Sequence, residues 1–337
     1  MRVMITGGTG FVGLHSARAL MKAGHDVCLL VRSESKARDL YGDDTPDCVV
    51  GDLVDGASIA RALEGCDAVI HSAAMVSTDA KDADRVYNTN LNGARLVFDT
   101  ALENGIGVMI HVSSVTALFN SEATSLNGDS PPGTARTAYG RSKVACEKYV
   151  RGLQSAGAPV TITYPASVIG PDDPGLTEPH EGLKIFLTQF VPMIPSGNQY
   201  VDVRDVAEAH LRLLERAPGQ PTGGRYPLGG HYLAWRDVGP MLEGLTGRRM
   251  RRLYAKGGMM RGAGRVIDVI KRVKRLDVPM GYEAMVYATK WVQLDNTAAE
   301  RDLGITFRPL EESMVDAIQW LYRAGYINAE AAGRLVA

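Results

Sequence analysis

Three glycines set three residues apart, Gly7, Gly10 and Gly13, govern how this 337-residue chain can begin to fold. They lie in the run Thr6-Gly7-Gly8-Thr9-Gly10-Phe11-Val12-Gly13, with the apolar Val3-Met4-Ile5 just before it and an amphipathic stretch over 11–23 starting inside it. That order predicts a buried strand, a tight turn and a helix. The turn needs a residue free of Cβ constraints, the second glycine admits close approach of a ligand, and the third lets helix and strand pack closely. Backbone N–H groups at a helix N-terminus attract anions. Gly7, Thr9, Gly10, Phe11, Val12 and Gly13 are therefore candidates to hold the diphosphate of a dinucleotide.

Up to residue 165, short apolar runs alternate with amphipathic stretches, which points to a parallel sheet covered by helices. Strands are expected over 2–6, 26–31, 47–50, 67–71, 108–112 and 160–164, and helices over 11–23, 34–41, 56–64, 84–104 and 138–156. The strands read as continuous Val/Ile/Leu runs, as strands buried on both faces do. The expected class is α/β, a doubly wound parallel sheet of Rossmann-like form, with its ligand crevice at the carboxyl ends of the strands. After Pro165 the pattern loosens. The proline- and glycine-rich segment 170–197, with one amphipathic piece over 181–190, reads as a lid over the crevice. A strand over 199–203 and a helix over 204–216 are expected to return to the sheet. Residues 223–337 read as mostly helical and end in an amphipathic helix over 310–322. The dinucleotide-binding domain is thus placed at 1–170 plus 199–216, and a smaller, mostly helical substrate lobe at 171–198 and 217–337.

Composition narrows the class further. A formal net charge of −1 gives no bulk attraction to nucleic acid or to an anionic surface. Met1-Arg2 runs straight into the first strand and no apolar run approaches the ~20 residues of a membrane span, so a cytoplasmic enzyme without a transmembrane segment is expected. The four cysteines, Cys28, Cys48, Cys66 and Cys146, form no C-x-x-C pair and no metal-type cluster with histidine. His71 and His111 fall at strand ends and are expected to pack, while His180, Glu178 and Glu181 are too loosely spaced for a metal. No metal site is expected.

The residue that reads a dinucleotide's adenosine ribose lies about 20 residues beyond the glycines, at the end of the second strand. An acid there suits NAD. This chain has Arg32, followed by Ser33, with Glu34, Lys36 and Arg38 close by. Arginine matches a 2′-phosphate in geometry and charge, which favours NADP(H) and leaves NAD(H) as the alternative. Asp52 and Leu53, after the third strand, suit the adenine. Ala73 and Ala74, after the fourth, leave room for a cofactor to cross the strand tops.

Tyr139 and Lys143 are four apart, so a helix projects them from one face. The Lys143 ammonium can then stabilise a Tyr139 phenolate and reach the cofactor's ribose. Ser114, after the fifth strand, can hold a substrate oxygen, with its neighbour Ser113 as the alternative. Tyr139 would exchange a proton with that oxygen while a nicotinamide exchanges a hydride with carbon.

The chain resembles extended short-chain dehydrogenase/reductases of the NAD-dependent epimerase/dehydratase family, from Met1 to about Trp320. The likeness rests on Thr6–Gly13 together with Gly51-Asp52-Leu53, the segment 66–74, Asn90-Leu91-Asn92-Gly93, Ser113-Ser114, the segment 139–143, the segment 165–171 and the segment 201–210. The resemblance implies that Ser114, Tyr139 and Lys143 form a catalytic triad, that Pro165 and Val168 line the nicotinamide pocket, and that Asn90 buttresses the active-site helix. It also implies a homodimer joined through the helices at 84–104 and 138–156. Where relatives often carry Tyr-Gly this chain has Leu118-Phe119, and where sugar-nucleotide members carry an Arg before the proline and an Asn after it, this chain has Tyr164 and Ser167. That segment and Val31-Arg32-Ser33 are closer to the dihydroflavonol reductase and hydroxysteroid dehydrogenase branch, whose substrates are apolar ring-bearing small molecules. Leu183, Ile185, Phe186, Phe190, Met193 and Ile194 would suit such a substrate, although apolar residues at helical spacing also make core.

Residues 248–275 stand apart, with eleven Lys or Arg against one acid, Asp268, interleaved with Val266, Ile267, Val269, Ile270 and Val273. The segment is either a solvated helix face or a contact for an anionic ligand or membrane surface. The leading functional reading is an oxidoreductase interconverting a carbonyl and an alcohol. Its rivals are a sugar-nucleotide epimerase or dehydratase with tightly held NAD, and a dinucleotide sensor without turnover.

Overall fold

Alternation along the first strand decides the layering. In β1 (Arg2–Thr6) the side chains of Val3 and Ile5 enter one apolar core and Met4 enters another on the opposite face, as period-two geometry requires. The chain continues through α1 (Phe11–Lys22), β2 (Asp26–Val31), α2 (Glu34–Tyr41), β3 (Asp47–Val50) and α3 (Gly56–Leu63). Then come β4 (Ala68–His71), α4 (Ala83–Glu103), β5 (Val108–Val112), α5 (Ala138–Ser155) and β6 (Val160–Pro165). Beyond the sheet's sixth strand lie β7 (Ser167–Ile169), α6 (Glu178–Thr188), β8 (Val191–Met193), β9 (Gly197–Asp202), α7 (Val203–Leu214) and β10 (Arg225–Leu228). The last part holds β11 (His231–Ala234), α8 (Trp235–Thr246), β12 (Arg252–Tyr254), α9 (Gly257–Val273), α10 (Tyr282–Thr289), α11 (Thr297–Leu303), α12 (Leu310–Arg323) and α13 (Ala329–Ala332). The computed structural model describes residues 1–77, 80–216, 223–273 and 281–336.

The main sheet has seven parallel strands in the order β10-β6-β5-β4-β1-β2-β3. Its direction of travel reverses between β1 and β4, where a ligand crevice opens in sheets of this kind. One face is covered by α1 and α7, with Leu14, Leu20, Val206 and Leu213 against Ile5, Ile70 and Ile110. The other face carries α3, α4 and α5, with Ile59, Phe98 and Val150 against Met4, Val69 and Met109. The α/β doubly wound form read from the sequence is what the chain adopts.

Two expectations about the second half are corrected. The strand at 199–203 does not return to the main sheet; β9 pairs with β7 and β11 in a separate three-stranded sheet. The edge beside β6 is instead taken by β10, part of the stretch read as mostly helical. Pro227 suits that place, because an edge strand tolerates a residue with no N–H. Helix α7 does pack on the sheet, against α1. Likewise the segment 170–197 is no free lid. Leu183 and Ile194 are buried with Trp235, Leu242, Met314 and Leu321 in the core of the C-terminal lobe, and Phe186 meets Trp235 edge-to-face at 5.7 Å. Burying side chains of this size contributes roughly 1.5–3 kcal/mol each, so the segment is held as structure.

No described helix is long and apolar enough to cross a membrane. All four cysteines are free; burial raises the Cys66 and Cys146 thiols to about 11.

Candidate active site

The turn after β1 is shaped by what glycine lacks. Gly7 has φ +75°, and a Cβ there would lie 2.7 Å from the Ala73 nitrogen. At Gly13 a Cβ would strike the Gly7 carbonyl oxygen. The Gly10 N–H donates to that same carbonyl at 2.9 Å, and Gly10 forms the N-cap of α1 without a side-chain acceptor. The first turn of α1 holds no acidic residue. Its N–H groups are thus uncapped at the sheet's reversal point, the arrangement an anionic diphosphate fits. Phe11 is buried beneath, its ring edge-to-face with those of His15 and His180, and the Val12 carbonyl accepts from Ser16. The strand ends are tied across the reversal. Thr6 Oγ1 accepts the Ala73 N–H at 3.2 Å and lies 2.8 Å from His71 Nδ1.

Arg32 is exposed at the end of β2, and no hydrogen bond or ion pair occupies it among the described residues. Neighbouring Glu34 is engaged by Arg38 at 2.5 Å, and Ser33 caps α2 by accepting the Lys36 N–H. Gly51 donates to the Val31 carbonyl, which sets Asp52 and Leu53 beside Arg32 at the strand tops. The Asp52 carboxylate accepts the Val54 N–H at 3.3 Å, and Leu53 packs over Gly93. Ala73 and Ala74 are half-buried above β4.

On the other side of the crevice, Tyr139 sits in the first turn of α5 and Lys143 one turn later. Lys143 is buried; its Nζ donates to the Val112 carbonyl at 3.2 Å and lies 5.8 Å from the centre of the Tyr139 ring. Below it, on β4 and β5, the rings of His71 and His111 stack at 5.8 Å. Burial, then the Lys143 charge, pushes His71 down to about 3 and His111 well below its ordinary range. Both rings stay neutral near pH 7.

The two serines part company. Ser113 is buried and donates to Glu147 Oε2 at 3.1 Å. Ser114 is half-buried and caps the short 3-10 turn Val115–Ala117 by accepting the Thr116 N–H at 3.2 Å. Tyr164 also belongs to Glu147, donating to Oε1 at 2.6 Å, where Arg151 Nε donates as well. Tyr164 therefore faces α5 and offers nothing to the crevice. Pro165 ends β6 opposite Leu228, and Val168 lies half-buried on β7 opposite Val201.

Asn90 links three segments. It accepts the Met75 N–H at 2.7 Å and donates to the Met75 carbonyl and to Ser142 Oγ, which donates to the Tyr139 carbonyl at 2.7 Å. A second clamp escaped the sequence reading. Glu283 on α10 accepts the N–H groups of Arg136 and Thr137 at 2.6 and 2.7 Å and the Thr137 hydroxyl at 3.0 Å. It fixes the segment that enters α5 just before Tyr139. Gly140 is part of the fit, because a Cβ there would meet Glu283 Oε1 at 2.8 Å. Nothing in the local sequence marks Glu283, which acts from 146 residues away. Near the Thr116 turn, Phe119 and Tyr287 pack with ring centres 4.3 Å apart, flanked by Trp291. His180, dismissed as a ligand, is fully buried with Nδ1 2.9 Å from Asp173 Oδ2 and Nε2 2.7 Å from the Gly170 carbonyl oxygen. No cluster that could hold a metal ion occurs among the described residues.

Comparison with known proteins shows the family and the fold. The NAD dependent epimerase/dehydratase family matches residues 3–229. A Synechocystis sp. protein provisionally named dihydroflavonol 4-reductase is 29% identical over 335 residues, 97% of this chain and 96% of that protein. Sterol demethylase protein B of Methylococcus capsulatus is 28% identical over 339 residues, covering 97% of this chain and all of that protein. A UDP-glucose 4-epimerase of Neisseria meningitidis serogroup B is 24% identical over 249 residues, 64% of this chain and 73% of that protein. The crystal structure of gox2253 superposes with a TM-score of 0.82 at 27% identity, covering 97% of this chain and 99% of that one.

Proposed function

The chain belongs to the NAD dependent epimerase/dehydratase family, and we propose that within it this enzyme is an NADP(H)-dependent oxidoreductase interconverting a carbonyl and an alcohol on a mostly apolar small molecule. Membership makes it an extended short-chain dehydrogenase/reductase with a nicotinamide dinucleotide as cofactor. When bound, that cofactor supplies or removes a hydride at the substrate carbon. The chain's own residues handle the proton. In the reductive direction Tyr139 Oη donates a proton to the substrate oxygen as the C=O bond becomes C–O–H. The phenolate left behind is stabilised by the Lys143 ammonium and reprotonated from solvent. Ser114 holds the substrate oxygen, since Ser113 is spent on Glu147.

The observation that carries this reading is the placing of Lys143, buried against the Val112 carbonyl over the Tyr139 ring and above two neutral histidines. Two further features set its details. Among the described residues Arg32 has no partner while Glu34 is bound by Arg38, which leaves a guanidinium for a 2′-phosphate. Tyr164 is committed to Glu147, so the position where sugar-nucleotide enzymes carry an Arg presents no cation to a substrate diphosphate. The apolar substrate class also follows the resemblance to Sterol demethylase protein B.

Calorimetric titration with NADPH and NADH tests the cofactor assignment. NADPH should bind about tenfold tighter or more, a margin set by one charge-assisted contact, and Arg32→Ala should erase the difference. Tyr139→Phe should lower turnover of ketones by about a hundredfold or more while sparing NADPH binding. Full activity in that variant would end the mechanism. The UDP-glucose 4-epimerase resemblance supports a second reading, for which stoichiometric NAD(H) carried through purification is the distinguishing result.

A further inference from the structure

Helix α9 is amphipathic, yet it packs by the wrong face. Gly264 is buried against α10, where a Cβ would come 2.9 Å from the Gly281 carbonyl carbon. Asp268 accepts the Tyr282 N–H at 3.0 Å, and Arg261 donates to Thr289 Oγ1 at 2.8 Å. The side of α9 that touches the protein is therefore mainly small and polar, with Met260 beside it packed on the core of the C-terminal lobe.

The apolar side faces out. Met259, Val266, Val269 and Ile270 are 70%, 58%, 59% and 39% exposed. At about 100° per residue these four share one arc with Gly262 and Ala263, both exposed too. No charged residue interrupts that arc. Leu253 and Tyr254, on the strand leading to α9, are also exposed. Singly exposed apolar residues are ordinary, but a continuous helical arc is a surface awaiting a cover.

The charge says which cover. Across 248–275 there are eleven Lys or Arg and one acid. That acid, Asp268, accepts the Tyr282 N–H of α10, and of the cations only Arg248 and Arg252 are paired with carboxylates, Glu330 and Glu243, among the described residues. Arg265 is exposed at the edge of the arc, its guanidinium 4.7 Å from the centre of the Tyr282 ring. Arg249, Arg251 and Lys256 are exposed on the approach. Lys274 and Arg275 lie outside the described residues. A second copy of this chain seated by two-fold symmetry would bring two such basic surfaces together, which is unfavourable. An apolar arc bordered by cations is what an anionic lipid surface takes up.

We propose that α9, with the β12 segment before it, docks the enzyme on an anionic bilayer surface, the arc of Met259, Val266, Val269 and Ile270 entering the boundary between headgroups and acyl chains and the arginines facing the headgroups. The surface is distinct from the crevice and stands whether or not the substrate reading holds.

Flotation of the full chain with phosphatidylcholine vesicles, with and without phosphatidylglycerol, is the test. The protein should float with the anionic vesicles, less so as salt rises, and remain behind with neutral ones. Val266→Asp/Val269→Asp and, separately, Arg251→Glu/Lys256→Glu should each lower partition about tenfold or more. Calorimetric dinucleotide binding and the melting temperature should stay as in the parent, and Val266→Ser/Val269→Ser provides a milder form should the aspartates impair folding. Absence of flotation with the anionic vesicles would overturn the proposal. So would variants that float like the parent, or an arc mutation that converts a dimer to monomer on size exclusion with vesicle partition unchanged.

Discussion

Helices α1 and α9 both use a glycine to bring backbones together, and they turn their apolar residues in opposite directions. In α1, Gly13 lies against the Gly7 carbonyl and Leu14, Ala17 and Leu20 go into the core. In α9, Gly264 lies against Gly281 while Met259, Val266 and Val269 face outward. An amphipathic period says that a helix has an apolar face. It does not say what covers it. In α1 the β1 strand directly before the helix supplies the cover, so local sequence suffices. In α9 the neighbour is a second short helix that meets its small and polar side, and beyond Met260, which packs on the lobe core, the arc of Met259, Val266, Val269 and Ile270 remains for something outside the chain.

The largest effect that separates the two regions is acid sensitivity. Buried neutral histidines cluster in the sheet half. Burial lowers His71 to about 3 and His210 to about 4, and His210 shares hydrogen bonds with Ser16 and Thr163. The unfolded chain protonates these histidines near 6.5 and the folded chain far below. Their folded state is thus fully favoured above pH 6.5 and loses about 1.4 kcal/mol per pH unit per group as pH falls toward the folded values. At pH 4 that amounts to roughly 3 kcal/mol each. Chemical denaturation between pH 7.5 and 4.5 should show a steep fall, shallower in His210→Asn. A parent protein whose midpoint holds constant over that range would refute the assignment.

Gly13→Ala against Gly264→Ala compares the two close approaches directly. A methyl forced on backbone costs about 1–3 kcal/mol. At Gly13 it moves the start of α1, so dinucleotide affinity should fall about tenfold or more. At Gly264 it separates α9 from α10 with a similar loss of thermal stability and no change in dinucleotide affinity. Equal affinity in Gly13→Ala and the parent, measured by calorimetry, would mean that the turn does not set the diphosphate cradle.

The same contrast explains what could be read from residues alone. Six of the seven main-sheet strands were legible, because each holds a short run of apolar residues, five of the six lead on to a helix, and all but the edge strand β3 are buried on both faces. The seventh, β10, carries Pro227 and leads into strand β11 rather than a helix, so its partner is chosen by a free sheet edge rather than by its own pattern. Gly7, Gly13 and the relation of Tyr139 to Lys143 were legible because turn and helix geometry are local. The separation of Ser113 from Ser114 was not. It depends on Glu147, whose carboxylate gathers Ser113, Arg151 and Tyr164 from three elements. Asp173 was hidden for the same reason. Burial pushes its carboxyl up, but His180 and the Thr177 and Gly175 N–H groups outweigh that and hold it below the ordinary range.

The smallest expected effect lies where the two regions meet. Glu283 starts from the α9–α10 pair and ends on the segment before Tyr139, accepting three hydrogen bonds there. Glu283→Gln keeps one oxygen for the two backbone donors, loses the acceptor for Thr137 Oγ1, and turns charge-assisted bonds into neutral ones. That exchange costs on the order of 1 kcal/mol. Because the bonds position Tyr139 and do not touch the cradle at α1, kcat should fall by roughly three- to tenfold with the dinucleotide Kd unchanged. A variant that loses melting temperature but keeps kcat would make Glu283 a packing residue and leave the lobes chemically independent. A fall in kcat at constant Kd would make the α9–α10 pair part of the active site's alignment, and any force on α9 from a bound surface would then reach Tyr139 through Glu283.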